Sequence, residues 1–181
     1  MRERNLSQRI LKNSNIVKWS RVESKTSPGI PDLHGFFADP QDQLGYTFWL
    51  ELKLTKHNKV AITSKQIAWH YHYYKNGGLS FICIKTLLER GARIYTGQRG
   101  SELAQVGAKL EPDVIIDEPW NENQLIEFVK YAKNTPFFSP TIRYLLWQRQ
   151  HQALPWNLSP FFAENEQKTD DPTPEDDWQQ G

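Results

Sequence analysis

The strongest regularity in the chain is a period-two alternation over residues 45–54. Phe48, Leu50, Leu52 and Leu54 leave one side of an extended strand. Thr47, Trp49, Glu51 and Lys53 leave the other. Around this strand the pattern predicts further elements. A short amphipathic helix fits residues 4–14, with Leu6, Ile10 and Leu11 inward, and strands fit 16–22 and 32–37. Ser27-Pro28-Gly29-Ile30-Pro31 reads as a tight loop, since its prolines remove donors and its glycine admits positive φ. Thr63 is a good N-cap for a helix over 64–76 that Gly77-Gly78 closes. Residues 79–84 are uniformly apolar, as in a strand buried on both faces. Strand 92–96 and helices 121–134 and 141–150 complete the set. The order of elements predicts an α/β fold, a mixed β-sheet core flanked by helices, with a helical C-terminal extension.

Length and composition refine this outline. A chain of 181 residues can bury one ordinary core, and its aromatic richness is unlike that of a disordered polymer. Residues 1–163 read as a single domain, a core over about 1–100 and an extension over about 101–163. Residues 164–181 carry seven acids and one lysine and read as an acidic disordered tail. The single cysteine, Cys83, excludes an intramolecular disulfide and a cysteine zinc site and reads as a buried thiol. With no signal-peptide pattern and no membrane-length apolar run, the expected setting is the cytoplasm.

The net charge of +1 conceals a strong asymmetry. The tail carries −6, which leaves +7 on the rest, and no Asp or Glu occurs between Leu52 and Leu88. Lys53, Lys56, Lys59, Lys65, Lys75 and Lys85 fall in that stretch, a field suited to a polyanion and equally to a solvated lysine face. Lys56, His57 and Lys59 follow the central strand directly and, with Lys65, are candidate phosphate contacts.

The candidate chemistry sits on the polar side of the central strand. Glu51 and Lys53 are two apart and so share a face, while Leu50 and Leu52 bury the other. Asp32 lies at the mouth of a neighbouring strand, where pairing would bring its carboxylate to Glu51. The two carboxylates, with the Leu52 backbone carbonyl, offer oxygen ligands to a hard cation such as Mg2+, for which Mn2+ should substitute. The lysine can orient water or stabilise charge on a phosphate. An isolated Glu-x-Lys pair is usually a surface ion pair and an Asp after Pro usually a turn residue. Gln66, Trp69, His70 and Tyr73 share a helix face, of which the aromatics read as core. His70 and His72 diverge on a helix, against a histidine metal pair. Asp113, Asp117 and Glu118 read as a strand-to-turn segment with solvated ends.

Taken together, Gly29-Ile30-Pro31-Asp32-Leu33, Glu51-Leu52-Lys53 and Gln66-Ile67-Ala68-Trp69 resemble the PD-(D/E)xK nuclease superfamily, in its VRR-NUC and Holliday-junction-resolvase-like branch. The resemblance covers roughly residues 1–85. It implies a magnesium-dependent endonuclease that hydrolyses DNA by a metal-activated water, leaving a 5′-phosphate and a 3′-hydroxyl. Asp32 and Glu51 would be metal ligands, Lys53 the catalytic lysine, and Gln66 a helix residue reaching toward the metal water or the phosphate. Relatives often add a ligand from the first helix, a place open here to Glu3, Gln8 or Glu23. Small enzymes of this kind are frequent in phages and mobile elements. A branched-DNA resolvase acting as a homodimer is one implied role, and a restriction-like or homing enzyme fits the same residues. A non-catalytic nucleic-acid-binding module is the competing class.

Overall fold

The computed structural model describes residues 3–22, 28–41, 43–87 and 89–134. Their elements are α1 (Glu3–Lys12), β1 (Lys18–Arg21), β2 (Leu33–Asp39), β3 (Leu44–Thr55), α2 (Ser64–Lys75), β4 (Ser80–Thr86), β5 (Ala92–Thr96), α3 (Gly100–Val106), β6 (Val114–Ile116) and α4 (Glu122–Asn134). The six strands form one sheet in sequence order. Only β3 and β4 run parallel, because α2 carries the chain back between them; the other neighbours are antiparallel. The fold is thus the mixed α/β sheet flanked by helices that the sequence pattern predicts.

Apolar residues explain the layering. Leu6 and Ile10 of α1 and Leu125, Phe128 and Val129 of α4 bury one face of the sheet against Phe48, Leu50, Leu52 and Cys83. Leu11, expected inward, is instead 39% exposed, because one helical stripe is enough to cover this part of the sheet. On the other face, Val60, Ile82, Ile84, Tyr95 and Leu103 form a second cluster. β3 passes between these environments. It alternates at its start and is buried on both sides from Leu50 to Lys53, so its polar residues end up inside. Cys83 is fully buried, and burial pushes its thiol up to about 12.

The segment 100–134 is continuous with this core, since β6 pairs with β5 and α4 packs in the main cluster. Asp113 corrects the expectation of a solvated end. It is 2% exposed, accepts the Thr96 N–H at 2.7 Å and meets the Arg99 guanidinium at 2.7 Å. Asp117 bonds Gln124, and Glu118 pairs with Lys85 and Arg9. Asp113→Ala would leave the buried Thr96 N–H without its acceptor and take one carboxylate from Arg99, which keeps Glu102 and the Glu111 carbonyl, and a loss of about 1–3 kcal/mol in urea unfolding is expected. A loss under about 1 kcal/mol would mean that Arg99 finds water or another partner.

The expected helix 141–150, Glu23 and the acidic tail lie outside the described residues. No described helix is long and apolar enough to cross a membrane.

Candidate active site

Strand register brings the acids together. β2 and β3 pair with Leu33 opposite Leu50. One further step along that antiparallel register sets Asp32 opposite Glu51, on the same face, at a cross-strand spacing of about 5 Å between Cβ atoms. Asp32 is held from two sides. Its carbonyl accepts the Val22 N–H at 2.9 Å, and its Oδ2 accepts the Leu52 N–H at 2.8 Å. In a strand the carbonyl of a residue faces the same edge as its N–H, so the Leu52 carbonyl is directed toward Asp32 as well.

Glu51 is 1% exposed. Its Oε1 accepts from Lys53 Nζ at 2.8 Å and from Gln66 Nε2 at 2.5 Å, while its Oε2 is buried with no hydrogen-bond partner. Burial pushes the carboxyl up to about 7. The charges of Asp32 and Glu3 add to that rise, and Lys53 opposes it. A buried acceptor oxygen without a donor is costly unless something cationic or protic meets it.

Gln66 has two duties. Its Oε1 accepts the Thr63 N–H at 3.0 Å, and its own N–H bonds Thr63 Oγ1 at 3.2 Å, closing a capping box. The same amide then spends its Nε2 on Glu51. It reaches the carboxylate itself. Gly29 makes this approach feasible. Its φ is +103°, and a Cβ there would lie 2.6 Å from the Lys65 carbonyl oxygen. The Pro-Gly loop therefore packs on the first turn of α2 at van der Waals distance. Gly29→Ala must push that turn away and lengthen the Gln66–Glu51 bond. A stability loss of about 1–3 kcal/mol in urea unfolding is expected. Unchanged unfolding would mean that the loop yields instead.

The remaining predicted residues fall into groups. Lys56, His57, Lys59 and Lys65 are exposed at the end of the sheet where Asp32 and Glu51 sit. The loop after β3 that holds the first three is pinned through Asn58, which bonds Val106, Ala108 and Lys109 main chain. Lys85 leaves the predicted basic field. It is buried, pairs with Glu118 and donates to the Glu89 and Gly91 carbonyls. Glu3 and Gln8 are both exposed on α1, and Glu3 is the one whose charge reaches Glu51.

One neighbour was not singled out for this site. His70 is fully buried with both ring nitrogens unpartnered, and burial and then the charge of Lys53 push it down to about 4. Its sequence signal is its place one turn after Gln66.

The donor set tests which cation the site could take. Among the described residues no three His, Cys, Asp or Glu side chains converge as a metal cage. Two carboxylates, one of them with a free buried oxygen, and a main-chain carbonyl fit a magnesium ion, which keeps several waters.

No protein-family model matches the chain, and no curated protein matches it. Among solved structures, Hjc, a Holliday junction resolvase from the archaeal hyperthermophile Archaeoglobus fulgidus, matches with 18% identity and a TM-score of 0.39. The match covers 53% of this chain and 73% of that one.

Proposed function

We propose that the chain is a metal-dependent endonuclease that hydrolyses DNA phosphodiester bonds, with Asp32, Glu51, Lys53 and Gln66 as its centre. The observation that supports this most is Glu51, a buried carboxylate with one oxygen free, set opposite Asp32 and bonded to Lys53 and Gln66. A module that only bound nucleic acid would gain nothing from two acids that repel phosphate.

Asp32, Glu51 and the Leu52 carbonyl hold a divalent cation, magnesium or manganese. When bound, that cation supplies Lewis acidity toward the phosphate and lowers the pKa of water. Lys53 is tied to Glu51 through one of its three N–H groups and has the others for a water or a phosphate oxygen. Gln66 fixes the Glu51 rotamer, so the carboxylate does not reorganise as charge develops. Lys56, His57, Lys59 and Lys65 contact flanking phosphates. The products are a 5′-phosphate and a 3′-hydroxyl. A four-way junction is a candidate substrate, since the motifs resemble the resolvase-like branch, and paired cuts across a junction would need a homodimer.

The test incubates wild type, Glu51→Ala and Lys53→Ala with supercoiled plasmid, single strands and a four-way junction, in magnesium or in EDTA. Cleavage in magnesium only, lost in both variants, is expected. No cleavage of any substrate by wild type would sink the nuclease reading. Normal cleavage by the variants would sink the site assignment.

A further inference from the structure

The face that carries Asp32 and Glu51 continues beyond them as an aromatic surface. Alternation sets His34 and Phe36 of β2 and Trp49 of β3 on the side of those acids. His34 and Trp49 are register partners with ring centroids 4.8 Å apart. Trp49 meets Trp69 edge-on at 5.5 Å, and Trp69 stacks on Tyr73 at 4.8 Å and 13°. The row therefore starts two residues from each acid and runs away from them along α2. α2 covers only the Trp49 end of the row, so His34, Trp49, Trp69 and Tyr73 are half-buried and Phe36 is 42% exposed. Gly45 has no side chain where a Cβ would lie 3.3 Å from the Phe36 ring, which lets that ring lie low on the sheet.

Away from Asp32 and Glu51, the described residues of these elements place no acid on this surface. The described residues of β1, β2, β3 and α2, with Asp32, contain three acids. Two of them are Asp32 and Glu51. The third, Asp39, is buried on the opposite face and paired with Lys130. Lys18, the register partner of Phe36, is exposed on the aromatic side.

We infer that this row is a stacking platform for unpaired bases, so that the preferred substrate has single-stranded DNA next to the scissile phosphate. This rests on the nuclease reading above and specifies its substrate. Aromatic rings stack on any base, while a groove with net positive charge tracks the backbone. A fully paired duplex keeps its bases stacked on one another and offers the rings nothing. Junction centres, flaps and free strands offer splayed bases. The continuity of row and acids places those bases within a few nucleotides of the cut.

The experiment measures binding by fluorescence anisotropy, with calcium in place of magnesium, of a short labelled oligothymidylate and of an abasic strand of equal length. Both carry the same phosphates, so charge alone binds them equally. The proposal expects wild type to hold the thymidine strand at least about tenfold more tightly. His34→Ala with Phe36→Ala should remove most of that preference, since both rings are at the surface. Tyr71→Ala, 52% exposed and on another side of α2, should leave it intact. Equal affinity for the two strands, or a preference that survives the double variant, overturns the platform. Base-dependent binding without cleavage of any DNA in magnesium would support the platform and remove the nuclease reading. Cleavage without base-dependent binding would do the reverse.

Discussion

Glu51→Gln is expected to lower the DNA cleavage rate by about a thousandfold or more while the chain stays folded. The estimate corresponds to about 4 kcal/mol of transition-state stabilisation, the scale of a lost ligand or oxyanion contact. Glutamine keeps the size of the side chain and an oxygen for Lys53, but it withdraws the charge that would hold a cation. Lys53→Ala is expected to cost about a hundred- to a thousandfold by a second route. It removes the N–H donors facing the substrate, and it removes the cation that holds the Glu51 carboxyl down. The pH profile of Lys53→Ala should therefore move to higher pH, whereas Glu51→Gln should simply lose rate. Initial rates on plasmid across a pH series decide this. A Lys53→Ala profile that is lowered without being moved would mean that the lysine does not act on Glu51.

Without divalent cation, stability is expected to bear the marks of two buried groups with opposite pH dependence. Glu51 is raised from 4.5 to about 7 by burial and by Asp32. Between those values the folded chain holds a proton that the unfolded chain releases. Stability is therefore full below about pH 4.5 and falls by roughly 3 kcal/mol as the pH rises past 7. His70 is lowered from 6.5 to about 4 by burial and by Lys53. Here the unfolded chain binds the extra proton, so a similar amount is lost as the pH falls from 6.5 toward 4. The slopes oppose each other over most of that range, and the wild-type profile should be nearly flat there. Subtracting wild type from Glu51→Gln at each pH isolates the carboxyl. That difference should move by roughly 3 kcal/mol in favour of the variant between about pH 4.5 and 8 in urea titrations with EDTA. A constant difference would mean that Glu51 ionises normally. Magnesium favours the ionised carboxylate, so its stabilising effect on wild type should be greater at about pH 8 than at about pH 5.5 and absent in Glu51→Gln.

The same buried pair explains why part of the site is legible in the sequence. Glu51 and Lys53 place charge on one side of the alternating strand β3, and the strand period by itself puts them on one face. Thr63 and Gln66 announce the start of α2, and the capping box forms as the local pattern predicts. Cys83, Leu50 and Leu52 are buried because apolar runs have no other stable place.

Other features depend on contacts distant in sequence. The Asp32–Glu51 pairing needs the β2–β3 register. Whether the charge of Glu3 on α1 is felt at Glu51 depends on how that helix lies on the sheet. Lys85 looks like part of a basic face until Glu118 arrives from another segment and takes it. Asp113 looks solvated until Arg99 turns into the interior to meet it. Local sequence determined the elements, their faces and the residue types of the candidate site, because periodicity and capping act within one or two turns. Tertiary structure decided which charges are buried and partnered, which glycine must stay bare, and where the aromatic row lies uncovered. Those outcomes depend on desolvation and packing between segments that the chain brings together only when it folds.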